Sequence, residues 1–116
     1  MDLAYLDRLC KGDRSRMAEY ITLYLQEAPG LFDHLEAMLN AGDDVQLAKA
    51  AHGLHPHVHY MGADRLCALL IVLQQRANAE GAAACSAAVQ ECLALNRTLM
   101  QALKQWSTTT APAGNG

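Results

Sequence analysis

Four of the five histidines in this 116-residue chain, His52, His55, His57 and His59, fall within eight residues. Near neutral pH an imidazole can exchange a proton, attack an electrophile through a neutral ring nitrogen, or ligate a transition metal. Which of these is open depends on which rings share a face. At 100° per residue, Leu47, Ala51, Leu54, Val58 and Met61 gather within about 40° of one direction and form a buried helical stripe. His52, His55 and His59 fall to one side of that stripe, and His57 points to the other. Ala48, one turn before His52, and Gly53 beside it are small enough to leave the His52 ring accessible. Pro56 cannot donate the amide bond that would return to the His52 carbonyl. A bend or opening of the helix is expected there, at a cost of about 3 kcal/mol in an ordinary interior.

The elements that must carry this face are helices. Ala and Leu dominate, β-branched residues are scarce outside Ile71-Val72, and Gly and Pro fall between periodic segments. A short first helix holding Leu3, Leu6 and Leu9 should stop near Lys11-Gly12. Asp13 then caps a second helix to about Ala28, with Met17, Ile21, Tyr24 and Ala28 on its stripe and Leu23 packed beneath the first helix. Pro29 suits the first turn of a new helix, so the chain should kink there and run on through Leu31, Leu35, Met38 and Leu39 to Ala41-Gly42. Asp43 or Asp44 caps the histidine helix, which ends at Gly62. A further helix carries Leu66, Leu69, Leu70 and Leu73 inward. After Glu80-Gly81 the last helix runs through Cys85, Val89, Cys92, Leu95, Leu99 and Leu103 to Trp106. The pattern predicts an all-α fold, an antiparallel four-helix bundle with a short extra N-terminal helix, over residues 1–106. Residues 107–116 are small and polar and are expected to form a disordered tail.

Composition narrows the function. The chain is 52% apolar with a formal charge of −3, so the basic face that nucleic acid demands is missing. Arg8, Lys11, Arg14 and Arg16 are interleaved with Asp7 and Asp13 and read as a solvated helix face. Cys10, Cys67, Cys85 and Cys92 lack CxxC spacing and read as reduced thiols, three of them inside apolar helical patterns. No signal peptide and no run approaching the ~18 apolar residues of a membrane span is visible, so cytoplasmic residence is expected. The chain is read as a freestanding monomer.

Ala51-His52-Gly53-Leu54, followed by Met61-Gly62-Ala63 with glycine ten positions after the histidine, resembles the signature of histidine-containing phosphotransfer (HPt) domains. That signature reads Ala-His-x-Leu-Lys-Gly, then an apolar residue with Gly-Ala. Asp43 and Leu47, nine and five places before His52, also fit, and the resemblance spans roughly Leu3 to Trp106. It implies a bundle that relays a phosphoryl group from one receiver domain's aspartate to His52 and on to another's. Lys49, His55 and His59 would then be neighbours of the phosphoryl group, while Ala48, Gly53, Pro56 and Gly62 would shape the local backbone and access. Response-regulator receivers and a hybrid histidine kinase are the implied partners. No cofactor of its own is implied, with Mg²⁺ supplied by the receiver. The chain departs from the pattern twice: His55 stands at the family's lysine and Pro56 at its glycine.

No Gly-rich phosphate loop or kinase-type nucleotide motif is present, so autonomous kinase activity is not expected. Two rival readings remain. One is an HPt-shaped adaptor that binds receivers without accepting phosphate. The other is a metal site, since His55 and His59 at i, i+4 and His52 and His55 at i, i+3 place imidazoles on one face. No Cys or carboxylate lies nearby in sequence to complete its shell, so a bound metal is not expected.

Overall fold

The computed structural model describes residues 1–110, and among these every regular element is helical. The elements are α1 (Ala4–Leu9), α2 (Arg14–Asn40), α3 (Asp44–Tyr60), α4 (Asp64–Glu80) and α5 (Ser86–Thr110), with a 3₁₀ turn, Ala82–Cys85, leading into α5. Helix α2 packs on α3, α3 on α4, α4 on α5, and α5 returns to α2, while α1 lies against α2. At about 1.5 Å per residue α2 and α5 are roughly 40 Å long and α3 and α4 roughly 25 Å. The outer turns of α2 and α5 therefore reach past the α3–α4 hairpin, and the molecule measures 52 × 24 × 17 Å.

The stripes read from periodicity are the core. Met17, Ile21, Tyr24 and Ala28 of α2 are buried, as are Leu47, Ala51, Leu54, Val58 and Met61 around α3. Leu66, Leu70 and Leu73 of α4 and Cys85, Val89, Cys92, Leu99 and Leu103 of the last segment close it from the other side. All four cysteines are buried and free. Burial pushes the Cys92 thiol up to about 12, and it raises Cys67 and Cys85 in the same direction, so these groups stay as uncharged packing atoms.

Several expectations are corrected. Pro29 does not begin a new helix, because α2 is unbroken from Arg14 to Asn40. Its buried residues run on through the proline as Met17, Ile21, Tyr24, Ala28, Phe32 and Leu35, so packing on both sides holds the helix although one amide is missing. Pro29 is exposed, which lets water satisfy the freed carbonyl. Leu23 is not covered by α1 but is 50% exposed, and of the first helix only Leu6 is fully enclosed. Helix α5 continues past Trp106 through Ser107 to Thr110, where the Thr108 and Thr109 hydroxyls donate to carbonyls of the preceding turn. The remainder of the expected tail, residues 111–116, lies outside the described residues.

Two neighbouring acids cap different elements. Asp43 accepts the Gln46 amide at 3.0 Å and starts α3. Asp44 accepts the Ala82 amide at 2.6 Å, across 38 residues, and so ties the start of α3 to the turn that opens the last helix. Substituting Asp44 by Ala should cost about 1–2 kcal/mol, the range of a lost cap, in a urea unfolding curve. An unchanged midpoint would mean that the Ala82 amide is satisfied equally well by water.

Candidate functional site

His52 lies in the middle of α3, exposed to solvent on the side that meets α4. Its Nδ1 is 3.3 Å from Oε1 of Gln74 on α4. A carboxamide oxygen only accepts, so this contact is a hydrogen bond when Nδ1 carries the ring proton. The tautomer that results has a free lone pair on Nε2, the nitrogen farther from the backbone. Beside the ring is a concavity of about 300 Å³ to which α3 contributes Val45, Ala48, Lys49 and Gly53, and α4 contributes Gln74 and Asn78. Val45 is 59% exposed at its rim, whereas Ala48 is only 5% exposed and forms its floor. A Cβ added at Gly53 would meet nothing within 4 Å, so the space beside His52 stays open.

The other residues singled out from sequence separate into groups. His55 lies parallel to His59, with ring centroids 6.3 Å apart and planes inclined by 9°. His59 in turn packs on Tyr5 of α1 at 4.8 Å, and Tyr5 and Tyr20 both reach Tyr60. His57 faces the opposite way, into a groove between α2 and α3 with Tyr20, Leu23 and Glu27. The division between His57 and the other three follows the helical wheel. Tyr24, on the α2 stripe, is buried, and its hydroxyl donates to Asn96 Oδ1 at 2.6 Å. Burial raises the Tyr24 hydroxyl well above its ordinary range, which keeps it a donor.

Pro56 is an exposed residue of an unbroken α3, so the expected opening of the helix is absent. The His52 carbonyl nevertheless lacks its partner four residues on, because proline has no amide proton. Gly62 stands at the end of α3 with φ +67° and its carbonyl accepts the Asp2 amide at 3.0 Å. It thus serves the turn and the docking of the N-terminus rather than access to His52.

Gln74 and Asn78 line the candidate site beside His52, and sequence reasoning missed them. The signal was the register of the α3–α4 hairpin. With its turn at Met61–Ala63, His52 stands ten residues before Gly62 and Gln74 twelve after it, so the two must lie nearly opposite each other. Among the described residues no group of three or more His, Cys, Asp or Glu side chains gathers where a metal ion could be held, and no helix is long and apolar enough to cross a membrane.

Comparison with curated proteins returned no match, and neither did comparison with solved structures. A scan against protein-family models matches one family, the Hpt domain, over residues 19–106. That span runs from the first turns of α2 to Trp106 near the end of α5 and takes in the whole of α3 with its exposed histidine. By this match, over an all-helical fold of the kind the family adopts, the protein belongs to the Hpt domain family.

Proposed function

We propose that this protein relays phosphoryl groups between receiver-domain aspartates through Nε2 of His52. Membership of the Hpt family implies histidine phosphotransfer in phosphorelay signalling, as an intermediate and not as an autonomous kinase. The observation that carries the assignment is the exposed His52 ring with its Nδ1 3.3 Å from Gln74 Oε1, a contact that leaves Nε2 as the nucleophile when Nδ1 carries the proton.

In the forward step the Nε2 lone pair attacks the phosphorus of a receiver's aspartyl phosphate. The N–P bond forms as the P–O bond breaks, and the carboxylate leaves with the electron pair. The ring keeps its Nδ1 proton and becomes positive beside the phosphoryl dianion, and Gln74 Oε1 accepts from that proton throughout. Transfer to a second receiver is the same step reversed. Magnesium and the in-line geometry belong to the receiver's acidic pocket. Lys49, lining the same concavity, brings a positive charge towards the phosphoryl oxygens. The lining residues include no carboxylate that would activate water, which favours a phosphohistidine that lasts until the next partner docks. His55 and His59 stand further along the same flank of α3. Receivers seat on the exposed Val45 and the surface around Lys49. The donor receiver belongs to a hybrid histidine kinase, and the protein acts as a cytoplasmic monomer.

Incubation with a phosphorylated receiver tests the reading. The protein should acquire an acid-labile, alkali-stable label. Receiver binding without label would establish the adaptor reading instead. Gln74→Leu should slow labelling about tenfold, the equivalent of one hydrogen bond of about 1.4 kcal/mol, by releasing the tautomer. Nitrogen chemical shifts of the His52 ring should move with it, and unchanged shifts would remove Gln74 from the mechanism.

A further inference from the structure

Asn78 of α4 lines the same concavity as His52 of α3, and the hairpin brings the two towards each other. Gln74 meets His52 across the seam between these helices. Asn78 lies four residues after Gln74 and Ala48 four before His52, so in an antiparallel pair Asn78 stands across from Ala48. Ala48 offers only a methyl group, buried as the floor, and leaves the space above it open. Helical side chains lean towards the N-terminus of their own helix. On α3 that direction carries the His52 ring towards Ala48, and on α4 it carries the Asn78 side chain towards Gln74. The two therefore converge over one floor.

Hydrogen-bond donors are few in that space. Val45, Ala48 and Gly53 line it with carbon, and Gln74 Oε1 is directed at His52 Nδ1. Asn78 is exposed, and among the described residues no hydrogen bond engages its carboxamide. Its Nδ2 carries two donor protons. Lys49, exposed on the opposite wall, carries the positive charge. Two carboxylates near this end of the hairpin are engaged elsewhere: Asp44 accepts the Ala82 amide at 2.6 Å, and Glu80 pairs with Arg76 at 3.5 Å. A phosphoryl group on Nε2 would bring about two negative charges and three acceptor oxygens into the concavity. The flexible stem of Lys49 supplies a charge to them without fixing a direction, whereas a short carboxamide on the facing helix supplies a directed donor.

We propose that Asn78 Nδ2 donates a hydrogen bond to a phosphoryl oxygen on phosphorylated His52, so that the group is held between Asn78 of α4 and Lys49 of α3. The inference rests on His52 being the phosphoacceptor. No proton changes hands, because the amide keeps both of its own. The bond exists only in the phosphorylated state, so it favours that state and shifts the relay equilibrium towards phosphohistidine.

Three substitutions and one resonance test this. Asn78→Leu removes both donors at nearly the same size, Asn78→Asp keeps the shape but presents a charged acceptor, and Asn78→Lys restores donation. The equilibrium constant for transfer from a phosphorylated receiver should fall about fivefold in the leucine variant, the effect of one hydrogen bond. It should fall further in the aspartate variant and return to within about twofold of wild type, or above it, in the lysine variant. The leucine variant should unfold in urea at a midpoint no lower than wild type, since Asn78 is exposed and leucine is the better helix former. In the phosphoprotein separated from its receiver, the side-chain amide protons of Asn78 should move downfield from their positions before labelling, which contact with a receiver could not produce. Equal equilibrium constants for wild type, leucine and aspartate variants, or amide resonances that stay in place on the labelled protein, overturn the role of Asn78 and leave the relay intact. Absence of label on the wild type overturns the relay reading itself, and this inference with it.

Discussion

His52→Gln should remove phosphoryl acceptance while leaving the fold and receiver binding in place. Glutamine retains the size and hydrogen-bonding reach of histidine, but its amide nitrogen is delocalised into the carbonyl and offers no lone pair to phosphorus. Loss of a nucleophile typically costs at least ~10³-fold in rate, so label on the variant should fall to background. Stability should move by no more than about 0.5 kcal/mol, because the ring is exposed and its one hydrogen-bond contact among the described residues is with Gln74. Receiver affinity should persist, since Val45, Lys49 and the floor of the concavity are untouched. Equal labelling of wild type and variant would move the acceptor to His34, His55, His57 or His59 and end the reading given above.

How much of this was legible in the sequence depended on whether a property lies within one helix or between two. The stripe Leu47, Ala51, Leu54, Val58 and Met61 is a property of one helix, and every member is buried. The separation of His57 from the other imidazoles is of the same kind. Gln74 meets His52 only because the hairpin brings α4 alongside, so no periodicity within α3 points to it. Tyr24 and Leu23 divide the same way: the burial of Tyr24 follows from the α2 stripe, whereas the exposure of Leu23 depends on where α1 lies against α2. Pro29 misled because a local rule was given priority over a pattern. The apolar spacing of α2 continues from Ala28 to Phe32 and Leu35 without a reset, and tertiary packing outweighed one missing amide.

Gly62→Ala should destabilise the protein by about 2–3 kcal/mol, the largest single-residue effect expected away from the core. Two costs combine at this position. The backbone at φ +67° is left-handed, which costs an ordinary residue roughly 1–2 kcal/mol. A Cβ would also enter the backbone of Asp2, whose amide donates to the Gly62 carbonyl at 3.0 Å. Relief of that collision requires the N-terminal segment to move. With it would go the Asp2 side chain that accepts the Ala4 amide at 2.9 Å, and the seat of the buried Leu6 on the bundle. Gly62→Asn separates the two costs, since asparagine tolerates the left-handed conformation but collides with Asp2 as alanine does. In urea unfolding, Asn should therefore recover about 1 kcal/mol of the loss and no more. Full recovery by Asn would show that the turn alone needs glycine and that the contact with Asp2 yields at no cost. An alanine variant within about 0.5 kcal/mol of wild type would contradict both terms. The glycine ten residues after His52 is then a folding residue: it lets the chain reverse after α3 and bind its own N-terminus, and by that reversal α4 places Gln74 against His52.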